Sequence, residues 1–367
     1  MPNVIQAAIA GAALLCTFAH ARAAEPTAYR DHARLLVYLD DHGNEHEVKT
    51  AQDWAIRRRH ILRGMQEAMG PLPDRNNLPP LAIEVRDEIV EPGDVRRQTI
   101  TFNTGDGDRV AAYLYVPSAS GKTRQPAVLA LHQTSTIGKG EVAGYGKSLH
   151  QAYAAELAAR GYVVIAPDYP SFGDSQKYDF QSDNYVSGTM KGICNHMRAV
   201  DLLVARDDVD PARLGVIGHS LGGHNAMFVG VFDERLKVIV SSCGWTPFHD
   251  YYGGKLEGWT SDRYMPLLRD KYNLDPDRVP FDFYEVVAAL APRAFFSNSP
   301  LDDSNFDVGG VKKAIAEAGK VYELLGARDR LQVRYPDCGH DFPDETRREA
   351  YRFIDKVLGH TPTRQVP

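Results

Sequence analysis

From residue 126 onward, short apolar segments alternate with segments of helical periodicity, and this alternation restricts the fold more than any other feature of the chain. Parallel strands need a crossover of a dozen residues or more between them, and a helix usually supplies it. The segments with strand character are 127–131, 162–166, 214–217, 238–241, 294–297 and 331–335. Helical periodicity occurs in 149–160, 188–205 and 343–358. The pattern predicts an α/β fold with a doubly wound, mostly parallel sheet, whose ligands bind beyond the carboxyl ends of the strands.

The region before this alternation has a different character. Thr50 and Asp53 form a capping pattern, and apolar residues then recur at helical spacing until Gly70-Pro71. This pattern predicts a helix over 50–69. Three segments rich in strand-forming residues follow, separated by turn clusters: 81–90, 96–102 and 110–116. They predict an antiparallel meander at one sheet edge. We therefore expect an N-terminal helical extension over 25–80 and a main α/β domain over 81–360.

The charge balance of the chain excludes nucleic acid as a partner, and its N-terminus predicts export. With 42 basic and 48 acidic residues the chain has a net charge of −6, so it lacks the broad basic surface that nucleic acid requires. Residues 4–19 are almost wholly apolar or small, and Ala21-Arg22-Ala23 follows in the pattern that signal peptidase accepts. This run is shorter than the roughly 20 residues of a membrane span. We expect a signal peptide over 1–24, export to the periplasm or medium, and no membrane anchor.

Three cysteines remain after such cleavage, namely Cys194, Cys243 and Cys338. An odd number of widely spaced cysteines does not indicate a disulfide framework, and at most one pair can form. Burial as small apolar side chains is the simpler interpretation.

The segment Gly218-His219-Ser220-Leu221-Gly222 directly follows the strand 214–217 and leads into an apolar helix. A serine flanked in this way, at a strand–turn–helix junction, occupies a sharp turn with a strained backbone of positive φ. Its hydroxyl projects above the sheet beside a helix N-terminus, where backbone amides favour negative charge. Ser220 is therefore the candidate nucleophile.

A serine hydroxyl needs a base to accept its proton, and the base needs an acid to hold its tautomer and stabilise its cation. His340 lies on the loop between the last strand, 331–335, and the C-terminal helix, where such a base is required. His219 and His224 adjoin the serine turn and are better explained by packing or by substrate contact.

The acid is expected on the loop after strand 294–297, where Asp302 and Asp303 are adjacent. We favour Asp303, because Phe306 three residues later can anchor the loop in the core. Asp302 stays open as an alternative, as does Asp250 after the preceding strand.

An oxyanion hole of two backbone amides is expected to use Leu221, which follows the nucleophile, and one residue of the loop after strand 127–131. Gln133 is the preferred donor in that loop, and Thr134 is the alternative.

Taken in order, these pieces resemble the α/β-hydrolase superfamily over about residues 80–358. The resemblance rests on the meander, Leu131-His132-Gln133, Ala166-Pro167-Asp168-Tyr169-Pro170 with Gly173-Asp174-Ser175, Asp208-Val209-Asp210-Pro211 before the serine turn, and Gly339-His340. Within it the chain is similar to the bacterial dienelactone-hydrolase-like and acetyl-xylan-esterase-like branch. The resemblance implies a carboxylic ester hydrolase with Ser220, Asp303 and His340 as its triad. It also implies a small or carbohydrate ester as substrate, with no metal and no organic cofactor.

Two departures from that branch matter. Dienelactone hydrolases proper have cysteine where this chain has Ser220, which disfavours that particular activity. Gln133 replaces the glycine that commonly follows the oxyanion-loop histidine, and its side chain narrows the acyl pocket.

A long aromatic segment, about 245–283, interrupts the alternation of strands and helices and is expected to form a cap-like insertion over the site. Trp245 is nearest the strand end and is the first candidate for substrate contact. Tyr169 and His219 are further candidates.

Three other interpretations are weaker. A prolyl-oligopeptidase-like peptidase would need a propeller, for which only about 100 mature residues precede the hydrolase core. A non-catalytic binding protein of this fold usually lacks a member of the triad. His42-Gly43-Asn44-Glu45-His46 matches a zinc-protease string, but Gly43-Asn44 breaks the helix that such ligands share.

Overall fold

The computed structural model describes residues 29–105, 107–118 and 124–364. The predicted signal peptide lies outside the described residues. Within them, no helix combines the length and the apolar character that crossing a bilayer requires.

Eleven strands form two sheets in the described part of the chain. The strands are β1 (Val37–Leu39), β2 (Glu45–Glu47), β3 (Glu84–Glu91), β4 (Val95–Asn103), β5 (Arg109–Pro117), β6 (Gln125–Leu131), β7 (Val163–Pro167), β8 (Val209–His219), β9 (Leu236–Ser242), β10 (Ala294–Asn298) and β11 (Leu331–Arg334). β1 and β2 form a small antiparallel sheet, and the other nine form one large sheet in the order β11-β10-β9-β8-β6-β7-β5-β4-β3.

The large sheet confirms the predicted topology. Along one side of the sheet, β3 pairs with β4, β4 with β5 and β5 with β7, all antiparallel. The strands β7, β6, β8, β9, β10 and β11 pair in that order, all in parallel. β6 lies between β7 and β8, so the chain changes its direction of winding at β6. A crevice opens beyond the carboxyl ends of strands at such a switch point.

Helices cover both faces of the sheet. They are α1 (Ala51–Met69), α2 (Tyr153–Ala159), α3 (Gly188–Val204), α4 (Leu221–Phe232), α5 (Leu267–Asp270), α6 (Phe283–Ala289), α7 (Val308–Leu324) and α8 (Asp344–Leu358). Alternate strand residues divide between two apolar cores, as their period of two requires. One core includes α1, α3, α4, α6 and α7, and the other includes α2 and α8.

Two predictions of local structure need correction. The predicted helix 149–160 is a 3-10 turn at Leu149–Gln151 followed by α2, which begins only at Tyr153. The N-terminal extension contains α1, with Thr50 and Asp53 in the predicted capping box, but it also contains the β1–β2 hairpin. Gly43 adopts a φ of +80° in the turn of this hairpin, so the His42–His46 string lies on no helix.

A buried ion cluster fastens the N-terminal segment to α6. Glu285 accepts a hydrogen bond from Arg57 and lies 2.8 Å from Nδ1 of His32. Nε2 of His32 donates to the carbonyl of Val279 at 3.0 Å, so both ring nitrogens face acceptors. Burial alone would lower the pKa of His32, but the Glu285 carboxylate outweighs it and raises the pKa to about 9.

This raised pKa predicts a loss of stability at alkaline pH. The unfolded histidine has a pKa of about 6.5, so its contribution is complete below that pH and is lost as the pH rises through about 9. Between pH 6.5 and 9.5, the free energy of unfolding should fall for the unmodified protein by on the order of 2 kcal/mol more than for His32→Gln. Urea unfolding at several pH values measures this, with His42→Gln as the exposed control. Identical pH profiles for His32→Gln and the unmodified protein would contradict it.

Candidate active site

Ser220 is the single residue between β8, which ends at His219, and α4, which begins at Leu221. Its backbone has φ +54° and ψ −118°, the strained conformation predicted for it. The Ser220 amide donates to the carbonyl of Ser242 at 2.8 Å, and this bond ties the turn to the end of the neighbouring strand β9.

The two glycines of the turn are required by close backbone approaches. A Cβ atom on Gly218 would lie 2.1 Å from the carbonyl oxygen of Gly222. A Cβ atom on Gly222 would lie 2.0 Å from the carbonyl oxygen of Leu131, at the end of β6. The start of α4 therefore sits directly against the loop that follows β6.

His340 is placed next to Asp303. Its Nδ1 lies 2.9 Å from Oδ1 and 3.0 Å from Oδ2 of Asp303, whose side chain is only 1% exposed. The backbone amides of Asn305 and Phe306 donate to Oδ1 as well. Burial raises the pKa of Asp303, but the hydrogen bond and charge of His340 outweigh this, and the net pKa is lowered. The carboxylate is therefore ionised and can hold Nδ1 of His340 in the protonated form.

The two loops that carry this pair are joined through their backbones. The amide of Leu301 donates to the carbonyl of Pro336 at 2.9 Å, and that of Asp302 donates to the carbonyl of Cys338 at 3.1 Å. Phe306 is 8% exposed, and its ring centroid lies 6.0 Å from that of His340. Its burial is the anchoring of this loop that the sequence predicts.

The two other candidate acids lie elsewhere. The Asp302 side chain is exposed to solvent, although it adjoins Asp303. Asp250 pairs with Lys313 at 2.8 Å. Of the three carboxylates, the structure brings only Asp303 to His340.

A polar network behind His340 connects its loop to the serine turn. Nδ2 of Asn298, at the end of β10, donates to Oγ of Ser242 at 2.9 Å and to the carbonyl of Asp341 at 2.8 Å. Ser242 Oγ also lies 2.9 Å from Nδ1 of His219. The rings of His219 and His340 are 5.0 Å apart between centroids, so His340 is placed beside the residue that precedes the nucleophile.

Cys243 adjoins the same pair. Its Sγ and the nearest ligand atoms of Asp303 and His340 lie within 4.8 Å of one another, the one such group with metal-ligating atoms in the described ranges. Burial and the neighbouring Asp303 raise the pKa of the Cys243 thiol well above its ordinary value. The thiol donates to the carbonyl of Asp341 at 3.2 Å, and neither Cys243 nor Cys338 forms a disulfide.

The loop after β6 contains the two candidate amides for an oxyanion hole, those of Gln133 and Thr134. Nε2 of His132 accepts from the amide of Tyr169 at 2.9 Å, so Nδ1 carries the ring proton and donates to the carbonyl of Gln133 at 2.6 Å. The N–H of a trans peptide points opposite to its carbonyl, and the Thr134 amide is thus turned away from His132. In the described structure no hydrogen bond uses the amides of Gln133, Thr134 or Leu221.

The Gln133 side chain is held by two residues that do not line the cavity over Ser220. Its Nε2 donates to Glu141 at 2.9 Å and to Gln151 at 2.7 Å. Lys139, in the same loop, is buried and pairs with Asp168 at 2.6 Å, which ties this loop to the one after β7.

A cavity of about 160 Å³ lies over Ser220. Four aromatic side chains form its walls, and Leu221 with polar or small residues completes it. The aromatic residues are Tyr251, Trp259, Tyr264 and Phe306, and the others are Thr134, Ser220, Leu221, His224, Gly258 and Asn305. Tyr251, Gly258, Trp259 and Tyr264 belong to the predicted insertion 245–283.

Comparison with known proteins identifies the family of the chain. A family model described as "Alpha/beta hydrolase family" matches residues 142–352. The chain belongs to the alpha/beta hydrolase family. The fold and superfamily predicted from the sequence are thereby confirmed.

This α/β hydrolase is similar to two curated proteins and to one solved structure, which are described next. The putative hydrolase YtaP of Bacillus subtilis (strain 168) is 30% identical over 326 residues, which cover 83% of this chain and 99% of YtaP. Carbohydrate esterase MZ0003, from an unknown prokaryotic organism, is 24% identical over 347 residues, or 79% of this chain and 78% of that protein. The glucuronoyl esterase from Solibacter usitatus has a TM-score of 0.68 at 21% identity, covering 88% of this chain and 97% of its own.

The three side chains predicted to contact substrate do not line the cavity of this hydrolase. Trp245 is 1% exposed, donates from Nε1 to Oγ of Ser297, and stacks on Phe283 in the core. Tyr169 is buried behind Leu221 in a small apolar cluster. His219 is buried in the network behind His340, and burial together with the charge of His340 lowers its pKa to about 3. In the described structure each of these three side chains makes internal contacts instead.

Trp259, Tyr264 and His224 take the places that those residues were expected to fill. Trp259 and Tyr264 lie in the insertion whose aromatic content predicted a pocket wall, but their order along the chain did not indicate which of them face the serine. His224 follows Ser220 by four residues on α4, so the helical period places it on the same side of that helix as the nucleophile.

The packing of the serine turn leads to a prediction about two glycines in helices. Gly222→Ala places a methyl group against the Leu131 carbonyl and should lower the free energy of unfolding by more than about 3 kcal/mol. Gly319→Ala, within α7, meets only the Arg328 side chain at ordinary contact distance, so it should raise stability by up to about 1 kcal/mol. Denaturant unfolding of both variants measures the difference. Equal stability of the two would show that the approach at Gly222 is not as close as described.

Proposed function

We propose that this protein is a serine hydrolase that cleaves carboxylic esters through an acyl-enzyme intermediate, with Ser220, His340 and Asp303 as its triad. The observation that carries the proposal is the buried Asp303 carboxylate hydrogen-bonded to Nδ1 of His340, on a loop packed beside the strained serine turn. This arrangement leaves Nε2 of His340 as the nitrogen able to accept a proton from Ser220.

In the first half of the reaction, Ser220 Oγ attacks the ester carbonyl carbon while His340 takes the hydroxyl proton. The alcohol leaves with that proton as the tetrahedral intermediate collapses. In the second half, His340 takes a proton from water as the water oxygen attacks the acyl carbon. The tetrahedral intermediate then collapses, His340 returns the proton to Ser220 Oγ, and the carboxylic acid is released. Asp303 stabilises the imidazolium in both halves.

The oxyanion is held by the amide of Leu221, at the N-terminus of α4, and by an amide of the loop after β6. We favour Thr134 over Gln133 as this second donor. Thr134 lines the cavity, and the fixed carbonyl of Gln133 turns the Thr134 amide away from His132. Two preorganised donors of this kind stabilise the developing negative charge.

The proposed substrate is a carbohydrate ester. MZ0003 is named a carbohydrate esterase, and the structural neighbour from Solibacter usitatus is a glucuronoyl esterase. The cavity supports this assignment because its aromatic walls and neutral polar groups suit a hydroxylated ring. Export to the periplasm or medium, proposed from residues 1–24, would bring the enzyme to such extracellular material.

Hydrolysis of 4-nitrophenyl esters of increasing chain length tests the proposal with three variants. Ser220→Ala should abolish turnover. Asp303→Asn should lower kcat by about 10³- to 10⁴-fold, because the histidine loses its tautomer and its counter-charge. Asp302→Asn is the matched control and should stay close to the unmodified protein, since its carboxylate is exposed.

Two results would count against the account. The reverse ranking of the two aspartates would reassign the acid. A folded, unmodified protein that hydrolyses none of the esters would end the proposal of an esterase.

A further inference from the structure

Glu141 lies beside the loop after β6 and accepts a hydrogen bond from the residue on each side of Thr134. Its Oε2 accepts from Nε2 of Gln133 at 2.9 Å, and its Oε1 accepts from Oγ of Ser135 at 2.6 Å. One carboxylate therefore bridges the two residues that flank the favoured oxyanion donor.

Thr134 has few contacts of its own to hold it. It is exposed, its hydroxyl lies 3.4 Å from that of Tyr264, and its amide makes no hydrogen bond in the described structure. This amide belongs to the same peptide as the Gln133 carbonyl, which lies 2.6 Å from Nδ1 of His132. A single hydrogen bond leaves a peptide free to rotate about it. The bridge through Glu141 removes that freedom, because it holds the side chains before and after Thr134.

The chemistry of a carboxylate suits this bridging position. An ionised glutamate only accepts hydrogen bonds, and its two oxygens serve two donors at once. A glutamine of the same shape would present an N–H group to one of the two donors. In the described part of the chain Glu141 forms no salt bridge, so the hydrogen bonds of its side chain all go to this loop.

Gly146 leaves space for the bridging carboxylate. A Cβ atom on Gly146 would lie 1.8 Å from Oε2 of Glu141. The Gly146 backbone has φ −76° and ψ 179°, a conformation open to any residue, so the backbone itself does not require glycine. The carboxylate that packs against this position explains the glycine. Alanine at 146 would therefore displace the carboxylate without altering Glu141 itself.

We propose that Glu141 is a positioning residue that orients the Thr134 amide for oxyanion binding, through its hydrogen bonds to Gln133 and Ser135. This inference rests on the proposed function, because the oxyanion forms only when Ser220 attacks an ester. Glu141 does not line the cavity over Ser220, so it acts through the loop and not on the substrate.

Loss of the bridge should lower kcat and leave KM nearly unchanged. Both tetrahedral intermediates place their oxyanion on the same two amides, whereas binding of the neutral ester does not use them. Removal of a whole oxyanion donor costs about 10²- to 10³-fold in kcat. Because the donor is still present but poorly oriented, Glu141→Ala and Gly146→Ala should each lower kcat for 4-nitrophenyl acetate by at least tenfold. KM should stay within about threefold, and Glu141→Gln, which keeps one acceptor, should have an intermediate kcat.

Two variants are matched controls. Glu156→Gln alters a carboxylate that bridges two other side chains, those of Arg347 and Tyr351, between α2 and α8. Gly319→Ala adds the same methyl group in α7, where it meets only ordinary contacts. Neither residue lines the cavity. Both variants should keep kcat within about threefold of the unmodified protein.

A tetrahedral adduct separates the loss of positioning from a general loss of structure. An alkyl trifluoromethyl ketone forms such an adduct with a reactive serine, and the resulting oxyanion occupies the same site as that of the intermediate. Its inhibition constant should rise in Glu141→Ala and Gly146→Ala by about the factor by which kcat falls. A variant that is merely less stable would show no such agreement, and thermal unfolding checks that each variant is folded.

Three results would overturn the inference and leave the esterase proposal intact. They are a kcat within threefold of the unmodified protein in both Glu141→Ala and Gly146→Ala, a KM that rises as much as the inhibition constant, and an equal loss of kcat in the two controls. If Glu141→Ala does not fold, Gly146→Ala provides the test, because it retains the glutamate. An unmodified, folded protein that hydrolyses no ester and takes no fluorophosphonate label would end both proposals.

Discussion

The approach of the α4 N-terminus to the end of β6 is the constraint on which the rest of the site depends. With a glycine at 222, backbone atoms of the helix lie against the carbonyl of Leu131, and with a glycine at 218 the turn closes on itself. These contacts leave Ser220 in a conformation that an L-residue adopts only under constraint, at φ +54°. They also bring the free amide of Leu221 next to the loop that carries Gln133 and Thr134. The proposed nucleophile and the proposed oxyanion hole thus depend on the same packing arrangement.

The base and acid depend on a second arrangement, which is built at the ends of β9, β10 and β11. Asn298 links Ser242 to Asp341 through its side-chain amide, and its own carbonyl accepts from Cys243. Backbone hydrogen bonds then join the acid loop to the base loop. Because Ser242 also accepts from the Ser220 amide, the network connects His340 to the nucleophile turn through a few buried polar contacts. A buried network of this kind fixes side-chain positions when its members are mutually satisfied.

Much of this could be predicted from the sequence because the relevant signals are local. The alternation after residue 126, the glycines around Ser220 and the Thr50–Asp53 capping box each require a particular backbone, and each segment has it. The sequence favours Asp303 over Asp302 because Phe306, three residues later, can anchor the loop in the core. The β1–β2 hairpin was not predicted, since its strands are only three residues long. The helix α7 was also not predicted.

The substrate side could not be predicted in the same way. Whether Trp245 or Trp259 faces the serine depends on how a loop of about 40 residues folds back over the sheet, which is a long-range property. Position along the chain favoured Trp245, but a partner on β10, Ser297, draws its indole into the core. For His224 the sequence left packing and substrate contact open, and only the folded structure places it in the wall of the cavity.

The proposed mechanism requires Ser220 and His340 to meet over two backbone amides. A crystal structure of the protein after reaction with a fluorophosphonate would reveal this arrangement. We expect phosphorus bonded to Ser220 Oγ, a phosphonyl oxygen between the amides of Leu221 and Thr134, and Nε2 of His340 within hydrogen-bonding distance of an oxygen on phosphorus. A folded protein that takes no label at Ser220, or an adduct in which His340 is turned away and the phosphonyl oxygen faces neither amide, would contradict it.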